Sequence, residues 1–131
     1  MQYKDYNGYT VLAVDDIPMN LLLIRKILTR LNVNIKTAAN GKEAIDLIAA
    51  EKPDLVLLDI MMPVMDGYQV LEALRADSKT AELRIVVLSA LNSNEDIVKG
   101  FNLGANDFIT KPIILEKLLS CVSTQLELAV K

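Results

Sequence analysis

Histidine is absent from this 131-residue sequence, and cysteine occurs once, at Cys121. Without histidine the chain cannot build the common zinc sites or a His-based catalytic triad, nor carry a phosphohistidine of its own. A single cysteine excludes an internal disulfide framework, so the chain reads as an intracellular, cytoplasmic protein. No apolar run approaches the ~18 residues of a membrane span, so no membrane partner is expected. The opening "MQYKDYNGYTVLAVDD" has only Lys4 ahead of its first apolar run, and polar residues break it up, which excludes a secretory signal. Basic blocks are missing too. The 14 Lys and Arg are scattered among 17 Asp and Glu, for a net charge of −3, which argues against direct binding to nucleic acid. What is present is a hydrophobic fraction of 52% with no low-complexity tract, enough to enclose a core as one domain over residues 1–131.

Short β-branched or aliphatic runs alternate with helical periodicity. Thr10 to Val14 reads as a strand; Asp16 then offers a helix N-cap, Pro18 sits in the first turn, and a helix is expected to about Leu31. Val33 to Ala38 is a weaker, alternating strand suited to an edge. "NGKEAIDLIAAE" predicts a helix with Ala44, Ile45, Ile48 and Ala49 on one face. Leu55 to Leu58 is a third strand. Pro63, Asp66 and Gly67 then supply turn chemistry, with Asp66 as cap, and a helix follows over Tyr68 to Ala76. Arg84 to Ser89 is a strand, "NEDIVKGFNLG" a helix stopped by Gly104, Asp107 to Thr110 a strand, and a last helix runs from Ile114. The alternation is (βα)5, an α/β fold with a parallel sheet doubly wound by helices on both faces.

In such a sheet the ligand crevice lies at the carboxyl ends of the strands. There the sequence places Asp15 and Asp16, Asp59, Ser89 and Lys111. One Asp after a strand is often only a helix cap, and one Ser or Lys there is often incidental. All five at the ends of four strands are hard to explain in that way. Three crowded carboxylates with one ammonium leave a negative pocket, and hard oxygens without His or Cys suit Mg²⁺ shared with a phosphate. A carboxylate so placed can attack phosphorus to give an acyl phosphate.

The "DD" after strand one, "DIMMPVMDG" after strand three, "SA" after strand four and "KP" after strand five, over about residues 9–127, resemble the receiver domain of two-component response regulators. The resemblance implies a flavodoxin-like sheet in the order 2-1-3-4-5. It implies Asp59 as phosphoacceptor from a sensor histidine kinase or phosphotransfer protein. It further implies Mg²⁺ bound by Asp16, Asp59 and the Met61 carbonyl with Asp15 orienting a metal-bound water, Ser89 and Lys111 on phosphoryl oxygens, Phe108 as aromatic switch, and a cis Lys111–Pro112 peptide. A receiver catalyses only its own phosphorylation and dephosphorylation, so the chain is expected to be a signalling module rather than an enzyme. It would be either a stand-alone regulator or the amino-terminal piece of a longer one.

Two rivals share parts of this pattern. An FMN-binding flavodoxin needs a Ser/Thr/Gly phosphate loop after strand one, where this chain has "DDIPMN". A haloacid-dehalogenase phosphatase has its Asp nucleophile after strand one in a D-x-D pattern, whereas here the first acids are adjacent and the third follows strand three. Met62 and Met65 read as gap-fillers and Cys121 as an inert thiol. On the last helix Leu115, Leu118, Leu119, Val122 and Leu126 form the expected core stripe. Ile114, Cys121 and Leu128 mark an adjoining face for a partner, either a phosphorylation-favoured homodimer through helix four, strand five and helix five or the cognate kinase. Met61 and Leu91, two residues past Asp59 and Ser89, are expected to flank the path of a hydrolytic water, and both are apolar.

Overall fold

The computed structural model describes residues 4–129; the outermost residues of the expected 1–131 domain lie outside the described ones. The strands are β1 (Thr10–Val14), β2 (Asn34–Ala38), β3 (Leu55–Leu58), β4 (Arg84–Ser89) and β5 (Asp107–Thr110). The helices are α1 (Pro18–Leu28), α2 (Gly41–Ala50), α3 (Gly67–Ala76), α4 (Asn94–Asn102) and α5 (Leu115–Leu128). All strand pairs are parallel, in the order β2-β1-β3-β4-β5.

Strand side chains alternate between the faces of the sheet. Val11, Ala13, Leu55, Leu57, Val86 and Leu88 therefore meet Ile24 and Leu28 of α1 and Leu118, Leu119, Val122 and Leu126 of α5. Their neighbours Leu12, Val14, Val56, Leu58, Ile85 and Val87 meet Ala44 and Ile48 of α2 and Val70, Leu71 and Leu74 of α3. Both faces are covered, which is why β3 and β4 are unbroken apolar runs. The register places Val14 beside Leu58, Leu58 beside Val87, and Ser89 beside Thr110, so the strands end on one rim.

Several local expectations need correction. The α1 N-cap is Ile17, and no side chain caps the helix. The Asp16 carboxylate is not used there; Pro18 at the start of the helix already removes one N–H that would need a partner. The α-helix ends at Leu28, and its last turn tightens to a 3-10 turn over Thr29–Leu31, closed by Asn32 at φ 56°. β2 begins at Asn34 rather than Val33, and its partial exposure fits an edge strand. On α2, Ala49 is exposed, and Leu115 of α5 is only partly buried. Asp66 does cap α3, in a reciprocal box with Gln69: the Gln69 N–H donates to Asp66 Oδ1 and the Asp66 N–H to Gln69 Oε1, each at 2.9 Å. Met62 and Met65 pack into the α2/α3 layer as gap-fillers.

Candidate phosphoryl-accepting site

The last residues of β1 and β3 are fixed by ladders on both sides, and the chain leaves each strand through an acid. Asp15 and Asp59 are both buried, Asp59 only 3% exposed. Ligand oxygens of Asp15, Asp16 and Asp59 all lie within 4.8 Å of one another. Lys111, carried in from the end of β5, sets its Nζ 2.9 Å from Asp15 Oδ2 and 3.6 Å from Asp59 Oδ1. The Lys111–Pro112 peptide that follows is cis. Ser89, at the end of β4, is fully buried, and its Oγ accepts the Leu91 N–H at 3.1 Å. The structure thus brings all five rim residues together.

Asp15 is well satisfied. Its Oδ1 accepts the Ile17 N–H at 2.9 Å, and its Oδ2 accepts Asn20 Nδ2 at 3.1 Å as well as Lys111. Asn20 escaped the sequence reading; the only signal was an amide in the first turn of α1, five residues past Asp15. Asp59 differs sharply: among the described residues its carboxylate accepts one hydrogen bond, a long one from the Met61 N–H at 3.4 Å. Burial pushes its carboxyl up to about 6; the Lys111 ammonium opposes that rise, and the Asp15 and Asp16 charges reinforce it. Asp16 Oδ1 is a buried oxygen with no hydrogen-bond partner. A shielded, unpartnered carboxylate oxygen beside two further carboxylates, with one ammonium among them, is a donor set that fits a hard divalent cation.

Phe108 is half-buried on β5, and its ring faces Gly100, where an added Cβ would stand 3.0 Å from Cδ2. Gly100 is the only buried residue of α4. Tyr68 also contacts the helix: its hydroxyl donates to the Asp96 carbonyl at 3.1 Å and its ring centroid lies 4.3 Å from Lys99 Nζ. Neither Tyr68 nor Gly100 was singled out from the sequence. Cys121 Sγ sits 3.4 Å from Asp107 Oδ2, and burial together with that carboxylate pushes the thiol up to about 12, leaving it unreactive at neutral pH. Ile114 and Leu128 are exposed, but Cys121 between them is only partly so.

Comparison with known proteins agrees with this geometry. The family described as response regulator receiver domain matches residues 11–123. The response regulator PleD of Caulobacter vibrioides is 41% identical over 103 residues, covering 79% of this chain and 23% of that protein. A probable cyclic di-GMP phosphodiesterase of Vibrio cholerae is 37% identical over 127 residues, covering 97% of this chain and 29% of its own length. The chain therefore spans about a quarter of these relatives. Among solved structures, a putative response regulator from Chloroflexus aurantiacus superposes with a TM-score of 0.88 at 30% identity, covering 92% of this chain and 99% of that one.

Proposed function

This chain belongs to the response regulator receiver family, and on that premise we propose that Asp59 is its phosphoacceptor, taking a phosphoryl group from the phosphohistidine of a sensor histidine kinase or phosphotransfer protein. The observation that carries the reading is the Asp59 carboxylate, buried at the end of β3 with almost no hydrogen bonding, beside Lys111 and the unpartnered Asp16 oxygen. An Asp59 oxygen attacks phosphorus; the P–N bond to the donor imidazole breaks as the P–O bond forms, and the imidazole leaves with the bonding pair. Asp16, Asp59 and the Met61 carbonyl would hold Mg²⁺ directly, and Asp15 would orient one of its waters. The ion supplies charge neutralisation for phosphoryl oxygens. Lys111, already 3.6 Å from Asp59 Oδ1, pairs with one phosphoryl oxygen, and the Ser89 hydroxyl donates to another.

The chemistry is confined to the chain's own phosphorylation and dephosphorylation. The module is expected to act as one receiver unit in the cytoplasm; separately, no described helix is long and apolar enough to cross a bilayer. The test is incubation with acetyl phosphate and Mg²⁺. One acid-stable, base-labile phosphoryl group is expected, mapped to Asp59 by mass spectrometry and lost with EDTA. Label on another residue, or label that ignores EDTA, would refute the assignment.

The output follows from how weakly α4 is held. When the Ser89 hydroxyl turns toward the new phosphoryl group, space opens for the Phe108 ring to move inward, and the α4–β5–α5 face changes with it. Exposed Val98, Phe101, Ile114 and Leu128 make that face suitable for a homodimer. Beryllofluoride should shift the NMR resonances of Phe108 and α4 and raise the mass seen by light scattering. Shifts that stop at the metal site would leave no coupling to explain, and an unchanged mass would remove the dimer.

Signal lifetime is set by water reaching phosphorus in line. Met61 is exposed beside Asp59, and Leu91 packs half-buried beside Ser89; neither can hold a water by hydrogen bonding. The Met61→Asn, Leu91→Glu double variant should lose its phosphoryl group several-fold to tens-fold faster in excess Mg²⁺, on the order of 1–2 kcal/mol of barrier. Equal first-order decay would show that these side chains do not control the lifetime.

A further inference from the structure

At the end of the sheet opposite the acidic rim, helices α2 and α3 part and leave a cleft of about 530 Å³. A pair of small residues is the cause. Ile45, Ile48 and Ala49 share one face of α2, and across the cleft α3 presents Ala73 and Leu74. Ile48 and Leu74 are buried, but Ala49 and Ala73 stay exposed, because neither methyl group reaches across the gap. Larger side chains at these two positions would have closed it by ordinary core packing. The adjoining wall is fixed. Thr80 Oγ1 donates to the Leu74 carbonyl, and the Arg75 guanidinium donates to the Thr80 and Ala81 carbonyls at 3.2 and 3.1 Å. A preformed cavity of this volume lies in the range of small-molecule sites.

We propose that this cleft is a binding site for a small amphipathic anion, an aliphatic chain ending in a carboxylate. The lining selects that chemistry. Its apolar part is wholly aliphatic, with no aromatic ring on which a nucleotide base could stack. Two of its polar groups are already engaged within the protein: the Thr80 hydroxyl donates as above, and Asp77 Oδ1 accepts the Lys79 N–H at 2.9 Å. The ammonium groups of Lys52 and Lys79 remain. Neither forms an ion pair among the described residues, and Lys52 Nζ reaches only the Lys79 carbonyl, at 3.4 Å. Two ammonium groups against one carboxylate make this cleft locally cationic on a chain whose net charge is −3. An anion is therefore attracted here and a cation is not. The aliphatic chain covers Ile45, Ile48 and Leu74, and the carboxylate lies toward the two lysines. Occupation of the cleft involves neither Asp59 nor any phosphoryl chemistry.

Octanoate is the probe, titrated into nitrogen-15-labelled protein beside octanol and octyltrimethylammonium as its neutral and cationic counterparts. Amide shifts should concentrate at Ile45, Ile48, Ala73 and Thr80. Octanoate should bind about five-fold more tightly than octanol, the scale of two exposed ion contacts, and octyltrimethylammonium more weakly than either. The Lys52→Gln, Lys79→Gln double variant should bring octanoate down to the affinity of octanol and leave octanol unchanged. Ala49→Leu and Ala73→Leu each fill the gap from one helix. Either should weaken octanoate about ten-fold or more without lowering the melting midpoint, since filling a cleft does not cost core packing. No saturable shift at millimolar octanoate, equal affinity for octanol, or octanoate binding that survives both leucine variants each overturns the proposal. Cleft shifts that follow protein concentration with no probe present would assign the cleft to a second copy of the chain and overturn it as well.

Discussion

Gly67→Ala is expected to destabilise the protein by about 3–4 kcal/mol and to slow phosphorylation of whatever folded protein remains. Gly67 is the first residue of α3 and lies directly against the end of β3. A Cβ there would stand 2.7 Å from Ile60 Cα and nearer still to the Asp59 carbonyl oxygen. These are backbone atoms, so no rotamer change relieves the clash. The Gly67 N–H also donates to the Ile60 carbonyl at 2.8 Å, tying the helix start to the peptide that follows Asp59. Making room therefore displaces either the capped end of α3 or Asp59 itself, and for Asp59, the proposed acceptor, an ångström-scale shift is costly in rate. Gly41→Ala is the internal control. Its Cβ would approach Val70 Cγ2 at 2.8 Å and the Met65 side chain at 3.0 Å, groups that can move, so a loss nearer 1 kcal/mol is expected. Urea titration of both variants gives the comparison. A Gly67→Ala loss no larger than that of Gly41→Ala would mean that the β3–α3 junction is softer than the packing implies.

That junction also shows what was legible in the chain before any coordinates. The double-faced burial of β3 is written in Leu55 to Leu58, because a strand covered on both sides has no reason to alternate. The gathering of Asp15, Asp59, Ser89 and Lys111 follows from strand polarity alone, since parallel strands all end on the same rim. What escaped was set by partners distant in sequence. Asp16 was placed at the rim by the same polarity; only its second reading, as a helix cap, failed, because local rules see Pro18 and the helix beyond but not a cluster completed by β3, 43 residues later. Asn20 joins the site by donating to Asp15 Oδ2, the oxygen that Lys111 also reaches from the opposite edge of the sheet. The weak seating of α4 is invisible in its periodicity, since it depends on Tyr68 of α3 and on Phe108 of β5 opposite Gly100. The homodimer face was drawn from a heptad on α5 that includes Cys121, a side chain the structure turns partly toward Asp107.

Asp59→Asn should stabilise the metal-free protein at pH 7.5 by about 2–3 kcal/mol, raising the melting midpoint by roughly 5–10 °C. In the folded chain the Asp59 carboxyl titrates at about 6, against an ordinary value of 3.8, chiefly because burial penalises the anion. The folded state therefore binds this proton more tightly than the unfolded state. Well below pH 3.8 both states hold it, and Asp59 costs nothing. As pH rises toward 6 the unfolded chain releases the proton first, so stability falls; above 6 the whole penalty is in force. Asn is nearly isosteric and cannot ionise, so its advantage should be small at pH 4, grow through pH 5 to 6, and level off above. Mg²⁺ should narrow the difference. A cation bound to the folded state by Asp16 and Asp59 stabilises wild type in proportion to its occupancy, whereas the variant lacks one charged ligand and gains less. Thermal melts of both proteins from pH 4 to 8, in EDTA and in excess Mg²⁺, provide the measurement. A difference between them that does not change with pH would mean that burial of the Asp59 anion is not what strains this site. A difference that Mg²⁺ fails to narrow would remove Asp59 from the metal site.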